Sequence, residues 1–168
     1  EILKISKKYN IPVIEDAAQS IGSMYSNKPS GSFGKIGCFS AHPLKNLNAI
    51  GDSGYLTTND KNIFLKSKLL INHGIEKNNK VSNFGFVSRM DSFQALILNQ
   101  QLKKLKKTIL TRRKNANIYN LELKNFVKVP EDNAYEYSTY HTYIIKTDKR
   151  DSLKKYLLKN GIETKIHY

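Results

Sequence analysis

Ile11-Pro12-Val13-Ile14-Glu15-Asp16-Ala17-Ala18-Gln19 is the stretch on which the reading of this chain turns. A short apolar run meets two adjacent carboxylates and two small alanines, the pattern of a buried strand that ends where polar chemistry begins. Upstream, Ile2, Leu3, Ile5 and Tyr9 recur among lysines at the spacing of an amphipathic helix, which Asn10 closes. Downstream, Ile36-Gly37-Cys38-Phe39-Ser40 and Gly54-Tyr55-Leu56-Thr57-Thr58 read as two further buried strands. The turn formers of Asn27-Lys28-Pro29-Ser30-Gly31-Ser32-Phe33-Gly34 mark a loop before them. Helix, strand, loop and strand in this order predict an α/β sheet. In open sheets of that class, ligands gather at the carboxyl ends of strands.

Further along, Phe93, Leu96, Ile97, Leu102 and Leu105 recur at three- and four-residue steps, predicting one long helix or two between Asp91 and about Leu123. Tyr140-His141-Thr142-Tyr143-Ile144-Ile145 reads as an extended run, and Asp151 to Lys159 as a helix ended by Asn160-Gly161. The 168 residues are 39% hydrophobic and 25% charged, ordinary usage for a folded globular chain. No apolar run approaches the roughly 20 residues that span a bilayer, and Glu1-Ile2-Leu3-Lys4 does not open a cleavable signal. A cytoplasmic location is therefore the default expectation. The chain enters without a methionine at the end of a helix and stops at His167-Tyr168 after a strand-like run, so it is expected to be an excerpt.

The net charge of +14 is uneven: residues 1–60 hold 6 Lys/Arg against 5 Asp/Glu, and residues 61–168 hold 22 against 9. Lys103-Lys104, Lys106-Lys107 and Arg112-Arg113-Lys114 form the densest groups. Nucleic-acid binding and anionic substrates both attract such charge, although a solvated lysine-rich helix face is its commonest meaning. The single cysteine, Cys38, has no internal partner and is expected to be a buried, inert thiol.

Candidate chemistry concentrates in two patches. At the end of the first strand, the Asp16 carboxylate stands beside alanines small enough to admit a flat ring. It suits a protonated ring nitrogen, and the Gln19 amide suits a ring substituent, although an aspartate after a strand is more often a cap or turn residue. In Ser40-Ala41-His42-Pro43-Leu44-Lys45-Asn46, a hydroxyl able to donate to a phosphate precedes a lysine. A deprotonated lysine condenses with aldehydes, whereas a loop lysine is ordinarily a solvated charge, so the surroundings single out Lys45. His42 reads first as a structural imidazole. Four histidines and one cysteine show no metal-ligand spacing, so no metal is expected.

These segments follow one another in a familiar order: Ile11 to Gln19, Gly31-Ser32-Phe33-Gly34, Gly37 to Leu47, and Gly51-Asp52-Ser53-Gly54, with later echoes in Asn72-His73-Gly74, Arg89-Met90-Asp91-Ser92-Phe93-Gln94-Ala95, His141, Gly161-Ile162, Thr164 and His167-Tyr168. In sequence and spacing the chain resembles the DegT/DnrJ/StrS-type sugar aminotransferases, pyridoxal-phosphate enzymes with an aspartate-aminotransferase-like fold (fold type I). The resemblance implies that residues 1–110 are the carboxyl-terminal portion of the cofactor-binding large domain. Residues 111–168 would then be a connecting helix and the start of the small C-terminal domain, with sequence missing on both sides. It implies pyridoxal 5'-phosphate held by Lys45 as the catalytic residue, Asp16 at the ring nitrogen, Gln19 at the ring hydroxyl and Ser40 at the phosphate. His42, His167 and Tyr168 would lie near substrate.

The implied substrates are a nucleotide-diphosphate-linked keto sugar and an amino donor, glutamate, and the implied assembly is a homodimer. Ser88-Arg89-Met90-Asp91-Ser92-Phe93-Gln94-Ala95 looks most like members acting at the sugar C3 carbonyl, with C4 enzymes close behind. One departure stands out: many relatives carry asparagine, which reaches the neighbouring subunit's cofactor phosphate, where this chain has Val87. Two other readings remain open. A dehydratase of the same family typically replaces the lysine with histidine, which Lys45 opposes. A basic nucleic-acid-binding domain rests on charge alone.

Overall fold

The structure, a computed structural model, describes residues 1–76 and 78–167. Its elements in chain order are α1 (Ile2–Tyr9), β1 (Ile14–Asp16), β2 (Met24–Tyr25), β3 (Lys28–Pro29), β4 (Ile36–Ser40), β5 (Gly54–Thr57), α2 (Lys61–Leu70), α3 (Ser92–Leu123), β6 (Glu136–Tyr137) and α4 (Arg150–Lys159). They form two compact units, one of Glu1–Arg113 with Asp132–His141 and one of Lys114–Glu131 with Thr142–Tyr168.

In the first unit β1 pairs in parallel with β4, which pairs antiparallel with β5. The register sets Asp16 beside Cys38 and Cys38 beside Leu56. Directly paired residues share a face and alternate residues return to it, so Asp16, Cys38, Ser40 and Leu56 lie on one side of the sheet. Phe39 and Tyr55 lie on the other, where their rings stack at 5.0 Å. The expectation of three buried strands and a buried thiol is corrected here. Only β4 has buried residues, Gly37 and Phe39, while Ile14 and Leu56 are exposed. Cys38 is exposed too, because the alternation that sends Phe39 inward turns its neighbour to the open face.

Glu15 is turned from Asp16 by the same alternation. Its Oε2 accepts from Gly31 N–H at 2.7 Å, and its Oε1 accepts from Phe33 and Gly34 N–H at 2.5 and 2.7 Å. One carboxylate thus satisfies three backbone donors of the turn-rich loop. The loop then lies so close to β4 that a Cβ on Gly31 would stand 2.3 Å from the Phe39 ring, and Gly31 also has a φ of +79°.

The core forms where the 41–49 segment meets α3. Ala41, Leu47 and Ala49 pack with Leu98, Leu105 and Ile109, which recur along one face of a single helix. Asp60 caps α2 by accepting from Asn62 and Ile63 N–H, a helix the sequence reading passes over. The expected loop from Asn27 also conceals a hairpin. β2 and β3 join through Ser26 and Asn27, both at positive φ as a two-residue turn demands, and β6 extends this second sheet.

In the second unit Tyr143 Oη donates to Asn120 Oδ1 at 2.7 Å, and Asn120 Nδ2 donates to the Pro130 carbonyl at 2.9 Å. A single bridge joins Lys128 and Lys146. The run Tyr140–Ile145, expected to be extended, contains no strand. α4 begins one residue before the expected position and ends as expected, with Gly161 at φ +78° and Ile162 N–H returning to the Leu157 carbonyl.

Removing the Glu15 carboxylate leaves three loop amides without their acceptor. In the full protein, Glu15→Ala should lower unfolding stability by about 2–4 kcal/mol in a denaturant titration, and Glu15→Gln, which keeps one carbonyl oxygen, should cost less. A Glu15→Ala melt matching the parent would show that the loop holds its place without the clamp.

Candidate active site

Asp16 is the last residue of β1, with an exposed carboxylate. Its Oδ1 accepts from Ala18 N–H at 3.1 Å, a turn-forming bond that leaves the second oxygen for another donor. Ala17 beneath it is buried and donates its N–H to the Cys38 carbonyl at 2.8 Å, tying the turn to β4. Gln19 is exposed just beyond.

Ser40 ends β4 on the same face as Asp16. Among the described residues its Oγ receives one long bond, 3.4 Å, from His42 N–H and donates none, so its own proton remains available to an anion. Lys45 follows in a turn closed by its N–H on the His42 carbonyl at 2.8 Å. The side chain is half-buried, and among the described residues its ammonium has no carboxylate partner. His42 uses Nδ1 to accept Leu44 N–H at 3.2 Å, which leaves the ring proton on Nε2, 3.8 Å from Asp52 Oδ1.

The lysine loop is fastened at both ends. Ala49 N–H returns to the Ala41 carbonyl, Ala41 N–H to the Ser53 carbonyl, and Ile50 N–H to Gln94 Oε1 at 3.0 Å. Asn46, only 6% exposed, donates Nδ2 to the Thr139 carbonyl at 3.1 Å. The sequence reading includes Asn46 and Gln94 in its motifs without giving either a role, and does not name Thr139; for Asn46 the available signal was a polar residue set among Leu44, Leu47 and Ala49.

Thr139 belongs to an arm that α3 holds through consecutive arginines. Arg113 donates to Asp132 Oδ2 at 2.7 Å and to the Ser138 carbonyl at 2.6 Å, with its guanidinium 4.0 Å from the Tyr137 ring centre. Arg112 donates to the Tyr140 and His141 carbonyls, each at 3.2 Å. These two arginines are therefore engaged within the fold, unlike the solvated lysines around them. Burial acts to raise the Asp132 pKa, but the hydrogen bonds from Arg113 and Ser138, with the guanidinium charge, outweigh it and hold the carboxyl below its ordinary range.

In the first unit Asp16, Ala17 and Gln19 therefore lie at and just beyond the carboxyl end of β1, and Ser40, His42 and Lys45 at and just beyond that of β4. His167 lies in the second unit and is exposed. Tyr168 falls outside the described residues.

A strand-end carboxylate and hydroxyl thus share one face of an α/β sheet, with a half-buried lysine in the turn that follows. The sequence profile of the DegT/DnrJ/EryC1/StrS aminotransferase family matches residues 1–168, and the chain belongs to that family. A DegT/DnrJ/EryC1/StrS aminotransferase from Brucella abortus superposes with a TM-score of 0.96 at 37% identity, over 99% of this chain and 45% of that one. The fold is accordingly that of the family's pyridoxal-phosphate aminotransferases, fold type I. Among curated relatives, the UDP-2-acetamido-2-deoxy-3-oxo-D-glucuronate aminotransferase of Pseudomonas aeruginosa is 36% identical over 98% of this chain and 46% of its own length. The dTDP-3-amino-3,6-dideoxy-alpha-D-galactopyranose transaminase of Aneurinibacillus thermoaerophilus is 38% identical over 98% and 46%. The chain spans under half the length of these relatives.

Because the folded Asp132 pKa is depressed, the stability it contributes is complete above the unfolded value of about 4 and is lost as pH falls through the folded one. Asp132→Asn should cost about 1–3 kcal/mol at neutral pH. The gap to the parent should close below about pH 4 in thermal melts of the full protein. A gap independent of pH would mean that the carboxylate charge contributes nothing.

Proposed function

We propose that the protein carrying this chain is a pyridoxal-phosphate aminotransferase that passes an amino group from glutamate to a keto sugar linked to a nucleoside diphosphate. The observation that carries this reading is the placement of Asp16 and Ser40 on one open sheet face, with Lys45, whose amine has no carboxylate partner among the described residues, in the turn that follows. This donor set fits the cofactor: one oxygen of Asp16 and the Ser40 proton are uncommitted, and the exposed face admits a flat ring. The sugar-nucleotide substrates named for the Pseudomonas and Aneurinibacillus relatives support the substrate class. The Pseudomonas relative, whose substrate bears a 3-oxo group, and the Ser88–Ala95 motif favour amination at C3.

When bound, pyridoxal phosphate supplies an aldehyde carbon and a ring that accepts electrons from the substrate carbon. Lys45 would hold that carbon through Nζ and, once released, move the proton as general acid and base. Asp16 would keep the ring nitrogen protonated by placing a negative charge against it, with Gln19 at the ring hydroxyl and Ser40 donating to the phosphate. His42, His167 and Tyr168 remain the candidates for sugar contacts.

Lys45 favours transamination over the related dehydration, which uses histidine at that place. Nucleic-acid binding loses support because Arg112 and Arg113 are engaged internally. A cytoplasmic location agrees with the activated-sugar substrates. Among the described residues no helix is long and apolar enough to cross a membrane.

The assembly we favour is a homodimer. Phe84 is 100% exposed, and Phe86 and Val87 project beside it between α2 and α3. Phe93, Leu96 and Leu102 extend this exposed apolar character along α3, and such surface is ordinarily covered in a symmetric oligomer.

In the full protein, borohydride reduction should fix the cofactor on Lys45, detected by peptide mass spectrometry, and Lys45→Ala should abolish both this product and transamination. Cofactor fixed on another lysine would overturn the assignment. Asp16→Asn should retain the bound cofactor while lowering kcat by about a hundredfold or more, since a neutral amide cannot hold the ring proton.

Sedimentation should give a dimer for the full protein. Val87→Asn should tighten cofactor binding about tenfold by restoring a donor toward the partner's phosphate. A monomeric active enzyme, or unchanged affinity, would place the cross-subunit contact elsewhere.

A further inference from the structure

Asn46 is a polar residue in an apolar setting. It is buried in the same segment as Ala41, Leu47 and Ala49 of the core, where an aliphatic side chain would be buried without desolvating an amide. The amide is also only half satisfied. Nδ2 donates to the Thr139 carbonyl, while the buried Oδ1 has no hydrogen-bond partner among the described residues. A buried polar atom left unpaired costs about 1–3 kcal/mol, so its presence here needs a reason other than stability.

We propose that Asn46 is the positioning residue for Lys45, fixing where the lysine amine stands; this rests on the aminotransferase reading above. The Thr139 carbonyl is a firm anchor. Thr139 is 1% exposed, its Oγ1 lies 3.1 Å from Ser23 Oγ, and Arg113 grips the adjoining Ser138 carbonyl. On the other side, Lys45 N–H is bound to the His42 carbonyl. The lysine is thus held by its own N–H on one side and, on the other, by the side chain of the residue that follows it, which restricts the direction in which the lysine side chain leaves the chain. Apolar packing of Leu47 and Ala49 fixes depth but permits rotation about the segment; a directional hydrogen bond at residue 46 removes that rotation. A misplacement of about 1 Å in a reacting group can cost about a hundredfold in rate, which gives a catalytic reason to retain the amide.

The test uses the full protein with Asn46→Ala and the isosteric Asn46→Asp, which lacks the donor. Both should lower kcat by about ten- to a hundredfold while leaving KM for the sugar nucleotide unchanged. In cofactor-free protein, the rate of reductive methylation of Lys45, measured by mass spectrometry against exposed Lys28, should change several-fold in both variants. Folded variants with unchanged kcat and unchanged Lys45 methylation would overturn the proposal, as would failure of both to fold, which would make Asn46 a scaffold residue only. The parent protein separates the two levels. If borohydride fixes no cofactor on Lys45, the aminotransferase reading fails, while the methylation comparison still decides whether Asn46 positions the lysine.

Discussion

One carboxylate organises the strand end on which everything else stands. Glu15 accepts three N–H groups from residues 31–34, and a side chain held in that way cannot exchange faces with its neighbours. In an extended strand adjacent residues point to opposite sides, so committing Glu15 to the loop commits Asp16 to the other face. The register between β1 and β4 then carries the constraint outward. Asp16 lies opposite Cys38, and Ser40 lies two residues along on the same side. A slip of one residue would place Asp16 against the loop and Glu15 on the open face, exchanging every group with its neighbour. The clamp therefore stabilises the loop and, by the same bonds, specifies which carboxylate is presented.

α3 links this sheet to the lysine turn. Its buried Leu98, Leu105 and Ile109 form one wall of the core that holds Ala41, Leu47 and Ala49. Gln94, near its start, accepts Ile50 N–H, and Arg112 and Arg113 grip the backbone of the arm that carries Thr139. Apolar contact sets how deeply the turn sits, whereas directional bonds from the helix set its orientation. The first unit thereby obtains a fixed lysine turn from a segment with almost no regular structure of its own.

The sequence was most legible where local pattern and tertiary environment agree. Ile36–Ser40 forms β4 with the boundaries its apolar run suggests, and α1 closes at Asn10 in the left-handed conformation that asparagine tolerates. α3 is one helix over the expected span, but of the residues whose repeat predicted it only Leu105 is buried: Leu98 and Ile109 pack inward beside it, while Phe93, Leu96 and Leu102 are exposed, because apolar spacing shows a helix without showing which stripe the core covers. Cys38 was misjudged because an apolar run does not reveal which of two sheet faces is covered. β1 begins at Ile14, after the run starts, since Ile11 and Pro12 precede the first residue opposite β4. The β2–β3 hairpin depends on a Ser26-Asn27 turn without glycine, a weaker signal than Asn-Gly. Asn46 and Thr139 are 93 residues apart in sequence, so no local rule could pair them.

The two patches that carry the proposed chemistry share a construction. In each, one member of an adjacent pair is committed to the fold and the other is left uncommitted. Glu15 is tied to the loop while Asp16 keeps an oxygen open, and Asn46 is tied to Thr139 while the Lys45 amine has no carboxylate partner among the described residues. A free functional group is of little use if its backbone can drift, and a group bonded for rigidity is no longer free to react. Dividing the two tasks between neighbours one peptide apart resolves that conflict, because the anchor shares the backbone of the residue it serves. It also explains why both anchors are polar where an apolar side chain would bury more easily: only a directional bond orients the neighbouring Cα, and orientation is what the reacting group requires.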